Sequence, residues 1–422
     1  MEKLMKNLSQ INWDFSDYNS LKFPLDVNSI PWYPATLIPP IPKFLIGLLT
    51  EENDIVFDPF GGKGTTSIEA LKQNRRFCYN DLNPFAADVV RNIVTILEAV
   101  CYDENKISDM INKDSRILKE NIMRTDIEDS YIGKDEESIN LHLSENIRKE
   151  IANLNIDREA TYWYHVDTLR ELASIYRVIK DTSNIYEYHI RKLAFVSILK
   201  EVCSQREHFT YITDNCRPAR IKYYDAIVAY ISMLKRIDNA ASDFINQFYL
   251  INPKANLLEL MRNSQINCGD SRNLGWVKDD SIDLVVTSPP YLCAQDYIKT
   301  MRLVNLFFPE KNFKKLASQE IGARAKRRGK AEEVVTKFYA DMDVVMGEIN
   351  RVLRDNKYFC LIIGQGRGKI TEGYNTIEEI SSLAMEHHHF EKVFQQKRKI
   401  NYKVVRVGGV DYEEIIIFQK KK

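Results

Sequence analysis

Two short stretches of this chain carry residues whose types and spacing suit chemistry. The first is Asp58-Pro59-Phe60-Gly61-Gly62-Lys63-Gly64-Thr65-Thr66, which follows the apolar run Ile55-Val56-Phe57 and precedes a helical pattern from Ser67 to Gln73. Strand, glycine turn and helix in that order let backbone N–H groups and a helix N-terminus approach a ligand closely. Asp81 closes the next apolar run, 17 residues after Gly64, and suits acceptance of hydrogen bonds from ribose hydroxyls. Alone, a glycine turn can equally serve the geometry of a tight connection. The second stretch is Thr287-Ser288-Pro289-Pro290-Tyr291, directly after the apolar run Ile282 to Val286. Its two prolines remove two N–H donors and leave carbonyls free to accept. A serine hydroxyl, a proline carbonyl and an aromatic ring then share a strand's carboxyl end, where open α/β sheets bind ligands. Such a group can hold an exocyclic amino group while Tyr291 stacks on its ring. Taken alone, Ser-Pro-Pro reads first as a rigid strand exit.

Neighbouring chemistries fail on spacing. A phosphate-binding Gly-x-x-x-x-Gly-Lys loop would need glycine at Phe57, and Gly64 follows Lys63 where Ser or Thr is required. The loop from Gly364 to Lys369 fails likewise, with Ile363 and Ile370 at the two decisive positions. Seven cysteines, none at C-x-x-C spacing, argue against structural zinc and a disulfide framework and for free thiols. Cys293 stands three residues after Pro290, so it is expected to be a packed thiol and not a nucleophile. His387-His388-His389 point in different directions and read as a solvated helix end; no metal is expected. Trp163, Tyr164 and Tyr176 read as core.

The elements that must position these residues alternate as strand and helix. An extended proline-rich arm leads to a short helix at Phe44 to Leu49. Strands follow at Ile55–Asp58 and Arg76–Tyr79, the latter ending at Asn80-Asp81. Further strands are predicted at Gln265–Cys268, Ile282–Val286, Tyr358–Ile363, Phe390–Gln395 and Glu413–Phe418, with a helix over Phe338–Val352. This is the pattern of an α/β fold with a parallel sheet. Between its two blocks lie a charged, partly helical connector near 101–138 and helical periodicity from about 140 to 262. The division expected is 1–100, the arm and cofactor-binding half; 101–262, a mostly helical insertion; and 263–422, the catalytic half.

The chain has 422 residues with 59 Lys+Arg against 59 Asp+Glu, a formal net charge of zero. That excludes a binder that holds nucleic acid by bulk charge, but not a local basic surface. At 44% hydrophobic and 28% charged it is not disordered throughout. The polar N-terminus gives no sign of a signal peptide, and no run approaches the ~18 apolar residues of a membrane helix. A soluble cytoplasmic protein is expected.

Together the two stretches resemble the motifs of the S-adenosylmethionine-dependent DNA amino-methyltransferases. Asp58 to Thr66 resembles their cofactor motif, commonly D-P-F-x-G-x-G-T-T, and Thr287 to Tyr291 their [S/D/N]-P-P-[Y/F] motif, in the T-S-P-P-Y form typical of cytosine-N4 enzymes. The resemblance covers residues 30–95 and 265–420 and implies a Rossmann-like class I methyltransferase sheet with a large helical insertion. It implies S-adenosyl-L-methionine as cofactor, held by Asp58, Pro59, Phe60, Gly61, Gly62, Gly64, Thr65 and Thr66, with Asp81 at the ribose. Asp270, after Gly269, would stand at the adenine. Trp32 and Tyr33, in the arm from Pro31 to Pro34, would close over the methionine part. Ser288 and the Pro289 carbonyl would accept from the target amine, with Pro290 stiffening the turn and Tyr291 stacking on the base. The implied substrate is double-stranded DNA, methylated on cytosine N4 after base flipping, in a restriction–modification system with a partner endonuclease. Adenine-N6 or RNA amino-methylation, and a non-catalytic nucleic-acid-binding relative, are the alternatives.

Target recognition is not fixed by these motifs. One candidate is a basic cluster in the helical block, Arg206, His208, Arg217, Arg220 and Lys222. The other is Lys311–Lys330, where eight Lys/Arg meet Glu320 alone; Arg324, Lys326, Arg327 and Arg328 would contact phosphates. A solvated face is the competing reading of that charge run.

Overall fold

The structure, a computed structural model, describes residues 2–16, 18, 26–31, 33, 36–120, 130–131, 145–205, 218, 220–293, 296–323, 330–365, 370–400 and 412–422. Seven strands form one sheet: β1 (Ile55–Asp58), β2 (Arg76–Asp81), β3 (Gln265–Cys268), β4 (Ile282–Thr287), β5 (Leu353–Gly364), β6 (Phe390–Lys399) and β7 (Tyr412–Lys420). Their order is β3-β2-β1-β4-β5-β7-β6. The first five run parallel, and β7 is antiparallel to both of its neighbours. An order of 3-2-1-4-5 is the doubly wound arrangement. With the antiparallel hairpin at its edge, it is the Rossmann-like class I methyltransferase sheet expected from the sequence.

Both faces of the sheet are covered, as a parallel sheet requires. Side chains alternate between two cores. Val56, Leu284, Val286, Cys360, Ile362, Ile415 and Ile417 face one; Phe57, Val285, Phe359, Leu361, Ile416 and Phe418 face the other. Full burial of each such side chain stabilises by roughly 1.5–3 kcal/mol. Asp283 is a polar residue within β4; it is buried, accepts from the Ile55 backbone N–H at 3.0 Å and pairs with Arg354.

Helix α1 spans Pro40–Leu49 and begins four residues before the position expected. Pro39 and Pro40 occupy its cap and first position, where no N–H is needed, so proline starts this helix and does not delay it. Helix α2 (Thr65–Lys72) leaves the glycine turn. Helix α3 (Pro84–Tyr102) is capped by Asn83, whose side chain accepts from Phe85 N–H, and it buries one stripe from Ala86 to Val100.

Part of the charged connector is helix: α4 spans Lys106–Glu120, with Ile107, Met110, Ile111 and Leu118 buried. Helices α5 (Val166–Lys180), α6 (Ile185–Ile198) and α7 (Ala226–Ile251) are the long helices of the remaining block. Buried Arg191 of α6 grips buried Asp114 of α4 through Nη2–Oδ1 at 2.8 Å and Nε–Oδ2 at 3.0 Å. Tyr230 of α7 donates to the same carboxylate at 3.0 Å. Three helices thus share one satisfied polar node. Trp163, Tyr164 and Tyr176 are core residues, as is the α3 stripe against which the block packs. Helix α8 (Ala331–Val352) covers the opposite face and precedes β5.

Candidate active site

The chain leaves β1 toward β2 and β3 on one side and places β4 and β5 on the other. The gap between the carboxyl ends of β1 and β4 is therefore the topological switch point. A cleft opens there, with about 860 Å³ of empty space including its mouth. Its floor is the glycine turn. Asp58, Phe60, Gly61, Gly62, Thr65 and Thr66 line it, with Asp81 from β2 and Asp270 after β3. Ser288 and Pro290 line the same cleft from the exit of β4. Two motifs more than 200 residues apart in sequence thus share one cavity.

Other residues singled out from the sequence stand behind this lining. The Pro59 carbonyl accepts from Ser271 Oγ at 2.5 Å. Gly64 caps α2 with φ +88°, and a Cβ there would lie 2.6 Å from Val90 Cγ2, so its place is set by packing against α3. Pro289 is buried and Tyr291 half-buried; neither lines the cleft. Lys63 lines the cleft as well, but its side chain donates a hydrogen bond to the Asn28 carbonyl of the arm, and burial lowers its pKa to about 8. Cys293 is a buried thiol. Trp32, Arg324, Lys326, Arg327 and Arg328 lie outside the described residues, as do Arg206, His208 and Arg217. Among the described residues, no group of three or more His, Cys, Asp or Glu is placed to hold a metal ion. His387 and His388 both meet Asp343 Oδ1, at 3.0 and 2.9 Å, so the helix end is paired and not merely solvated.

Each acid of the cleft is held by donors. Asp58 accepts from Phe60 N–H at 3.0 Å, Thr66 Oγ1 at 2.8 Å and Thr287 Oγ1 at 2.6 Å. Asp81 accepts from Gly62 N–H and Asn83 N–H, both at 2.8 Å. Burial raises both carboxyls to about 6, against the pull of these donors. Asp270 goes the other way: burial would raise it, but a two-pronged contact with Arg272 and the Arg272 N–H hold it below the ordinary carboxylate range.

Two contributors were not singled out from the sequence. Tyr297 lines the cleft and stacks on Tyr33, with ring centroids 6.4 Å apart. Tyr33 in turn is buried and takes a bond from Asn83 Nδ2 at 3.2 Å. The arm and the segment after the Pro-Pro turn therefore meet above the glycine turn. Glu320 also lines the cleft; it accepts from Ile298 N–H at 2.7 Å, and burial pushes its carboxyl up to about 8. Neither lies in a motif, and only the tertiary fold brings them to the site.

The lining fits S-adenosyl-L-methionine. At Gly62, φ is +50°, and a Cβ would stand 3.7 Å from the Tyr33 ring, in the gap between turn and arm that a bound adenosyl group would need. Asp81 keeps acceptor capacity beyond its two N–H donors. An acidic lining also complements a ligand that carries a sulfonium and an ammonium group.

Comparisons with known proteins agree. Residues 3–138 match the family model described as DNA methylase. The chain is 23% identical to the type II methyltransferase M.MjaII of Methanocaldococcus jannaschii over 471 aligned residues, covering 96% of this chain and 83% of that protein. It is 25% identical to M.MjaI of the same organism over 136 residues, which are 32% of this chain and 43%, less than half, of M.MjaI. It is 32% identical to the type II methyltransferase M.PvuII of Proteus hauseri over 83 residues, 19% of this chain and 23% of that one. These similarities support a DNA amino-methyltransferase family and S-adenosyl-L-methionine as the cofactor. No helix among the described residues is long and apolar enough to cross a membrane.

Proposed function

We propose that this chain is a site-specific DNA methyltransferase acting on the exocyclic amine of a flipped base, cytosine N4. The observation that carries this reading is the single cleft lined by the glycine turn and by Ser288 and Pro290. The cofactor supplies an electrophilic methyl group on its sulfonium. The chain's own residues do the rest. Asp81 accepts from the ribose and the turn from Phe60 to Gly64 cradles the ligand, with Tyr33 above it. Asp270 faces the adenine. Ser288 Oγ and the Pro289 carbonyl accept from the hydrogens of the target amine, which draws its lone pair out of conjugation with the ring. Tyr291 packs against the base. Rate then comes from positioning and preorganised acceptors. Extruding the base costs a few kcal/mol, offset by stacking and edge contacts.

The substrate under this reading is double-stranded DNA in the cytoplasm, within a restriction–modification system that pairs the enzyme with an endonuclease. The helical block between β2 and β3 serves target recognition, and Arg324, Lys326, Arg327 and Arg328 contact phosphates. Incubation with labelled cofactor and DNA from a methylase-free strain, followed by nucleoside mass spectrometry, tests the proposal. N4-methylcytosine is expected, abolished in Ser288→Ala. N6-methyladenine alone would overturn the base assignment, and methylation of RNA only would overturn the substrate.

A further inference from the structure

Among the described residues, four acids line the cleft: Asp58, Asp81, Asp270 and Glu320. Protein donors already claim the first three. Asp58 holds Phe60 N–H and the hydroxyls of Thr66 and Thr287. Asp81 holds two backbone N–H groups and is the acceptor assigned above to the ribose. Asp270 is neutralised by Arg272, with Nη2 2.6 Å from Oδ2. Glu320 is the fourth, and none of the roles proposed above falls to it.

Its place is fixed from both sides. The Gln319 carbonyl before it accepts from Arg272 Nη2 at 3.0 Å, and the same guanidinium reaches Asp341 of α8 at 2.7 Å. The Gly322 carbonyl after it accepts from Cys293 N–H at 2.8 Å, which ties the segment to the exit of β4. Buried Glu320 itself accepts from Ile298 N–H at 2.7 Å. Tyr297, next to Ile298, is the ring that stacks on Tyr33. The carboxyl therefore belongs to the wall that meets the arm, the side assigned to the methionine part of the cofactor. Burial, with the acids Asp296 and Asp81 facing it, holds this carboxyl up to about 8. A cation brought beside it would relieve that crowding of negative charge, and an anion would add to it.

We propose that Glu320 is a cofactor-binding residue that accepts hydrogen bonds from the α-ammonium group of S-adenosyl-L-methionine. This rests on the reading above for the direction in which the cofactor lies. An ammonium group is a cation with three N–H donors, and a charge-assisted N–H···O bond is short and strong. The sulfonium has no hydrogen to give, so a carboxylate that grips the ligand by hydrogen bonding selects the ammonium. Asp81 and Asp270 hold the adenosine, Glu320 the amino-acid end, and the sulfonium is fixed between them.

Calorimetry measures the binding of S-adenosylhomocysteine and of its deaminated analogue to wild type and Glu320→Gln. The glutamine keeps the side chain's shape and an acceptor for Ile298 N–H. Wild type is expected to bind S-adenosylhomocysteine roughly tenfold or more tightly than the deaminated analogue, as one hydrogen bond to a charged group allows. Glu320→Gln is expected to lose most of that gap, with its affinity for the deaminated analogue unchanged. Equal wild-type affinities for the two ligands would overturn the role, a comparison that stands even if Glu320→Gln does not fold. Equal losses for both ligands in the variant would overturn it too. So would a loss for S-adenosyl-L-methionine without one for S-adenosylhomocysteine, which would turn the carboxylate to the sulfonium. A wild type that shows the expected gap but methylates no DNA would overturn the proposed activity and leave Glu320 its role; one that binds neither ligand would overturn both.

Discussion

Thr287 donates a hydrogen bond to Asp58 across 2.6 Å, although 229 positions separate them in the chain. The last residue of β4 is thereby fastened to the last residue of β1. The same carboxylate holds Thr66 of α2 and the Phe60 N–H, so one acid registers the glycine turn, its helix and the Ser-Pro-Pro segment against each other. A hydrogen bond to a charged group contributes about 1.5–3 kcal/mol.

Thr287→Val keeps the shape of the side chain and deletes only the donor. Methyl transfer is expected to fall by roughly tenfold or more, since a small misplacement of reacting groups is costly. Cofactor affinity should change much less, because the glycine turn keeps its other bonds. Steady-state kinetics with calorimetry of cofactor binding measures both. Equal losses in the two quantities would contradict the registering role.

Asp81 predicts a pH dependence. Burial lifts its carboxyl from the ordinary 3.8 to about 6 in the folded chain. Folded protein therefore holds this proton more readily than unfolded protein between those values. The group's contribution to the stability of the free chain is present below about 4 and is lost as pH rises through 6. Acceptance from ribose hydroxyls needs the carboxylate, so ligand binding runs the opposite way. The melting temperature gained on adding S-adenosyl-L-methionine should be larger at pH 7.5 than at pH 5, and Asp81→Asn should flatten that difference.

Gly64→Ala should destabilise the free chain. Its φ of +88° is left-handed, and the new methyl would meet Val90 Cγ2 at 2.6 Å. Backbone strain costs about 1–2 kcal/mol and overpacking a further 1–3. A fall in the urea midpoint without a change in slope would show it; an unchanged midpoint would mean α3 yields freely.

The buried node of the helical block gives a fourth test. Arg191→Met leaves the Asp114 carboxylate buried opposite an apolar chain, a loss of roughly 3–5 kcal/mol. Adding Asp114→Leu should recover most of it, since a packed apolar pair replaces a buried ion pair at little cost. Urea titrations of the single and double variants decide. Failure of the double variant to recover would place the role of the pair in specifying helix register.

Strand positions and the glycine turn were legible in the sequence because their apolar runs end in the acids and glycines that a switch point needs. Asp81 could be placed by its spacing from the glycine turn, whereas Asp58 and Ser288 needed the resemblance of both stretches to family motifs, because each stretch alone also reads as a tight turn. The start of α1 could not, because prolines that read as an extended arm also fit a helix's first turn. The connector reads as partly helical, but the bounds of α4 were masked by its charge: Lys and Asp on the solvent face hide an apolar stripe of Ile107, Met110, Ile111 and Leu118. Tyr297 and Glu320 were invisible for a different reason. They reach the site from the segment after the Pro-Pro turn, where neither period nor motif marks them.

The order of the strands has a consequence for the protein's birth at the ribosome. β1 lies at the middle of the sheet, with β2 close behind it in the chain, but its other neighbour is β4, whose Asp283 is 228 positions from Ile55. At about 5–20 residues per second, the nascent chain waits on the order of 10–50 s for that partner. Throughout that interval β1 presents an open edge, the kind of template that pairs with the wrong chain. Abundant chaperone during synthesis should therefore raise the soluble yield.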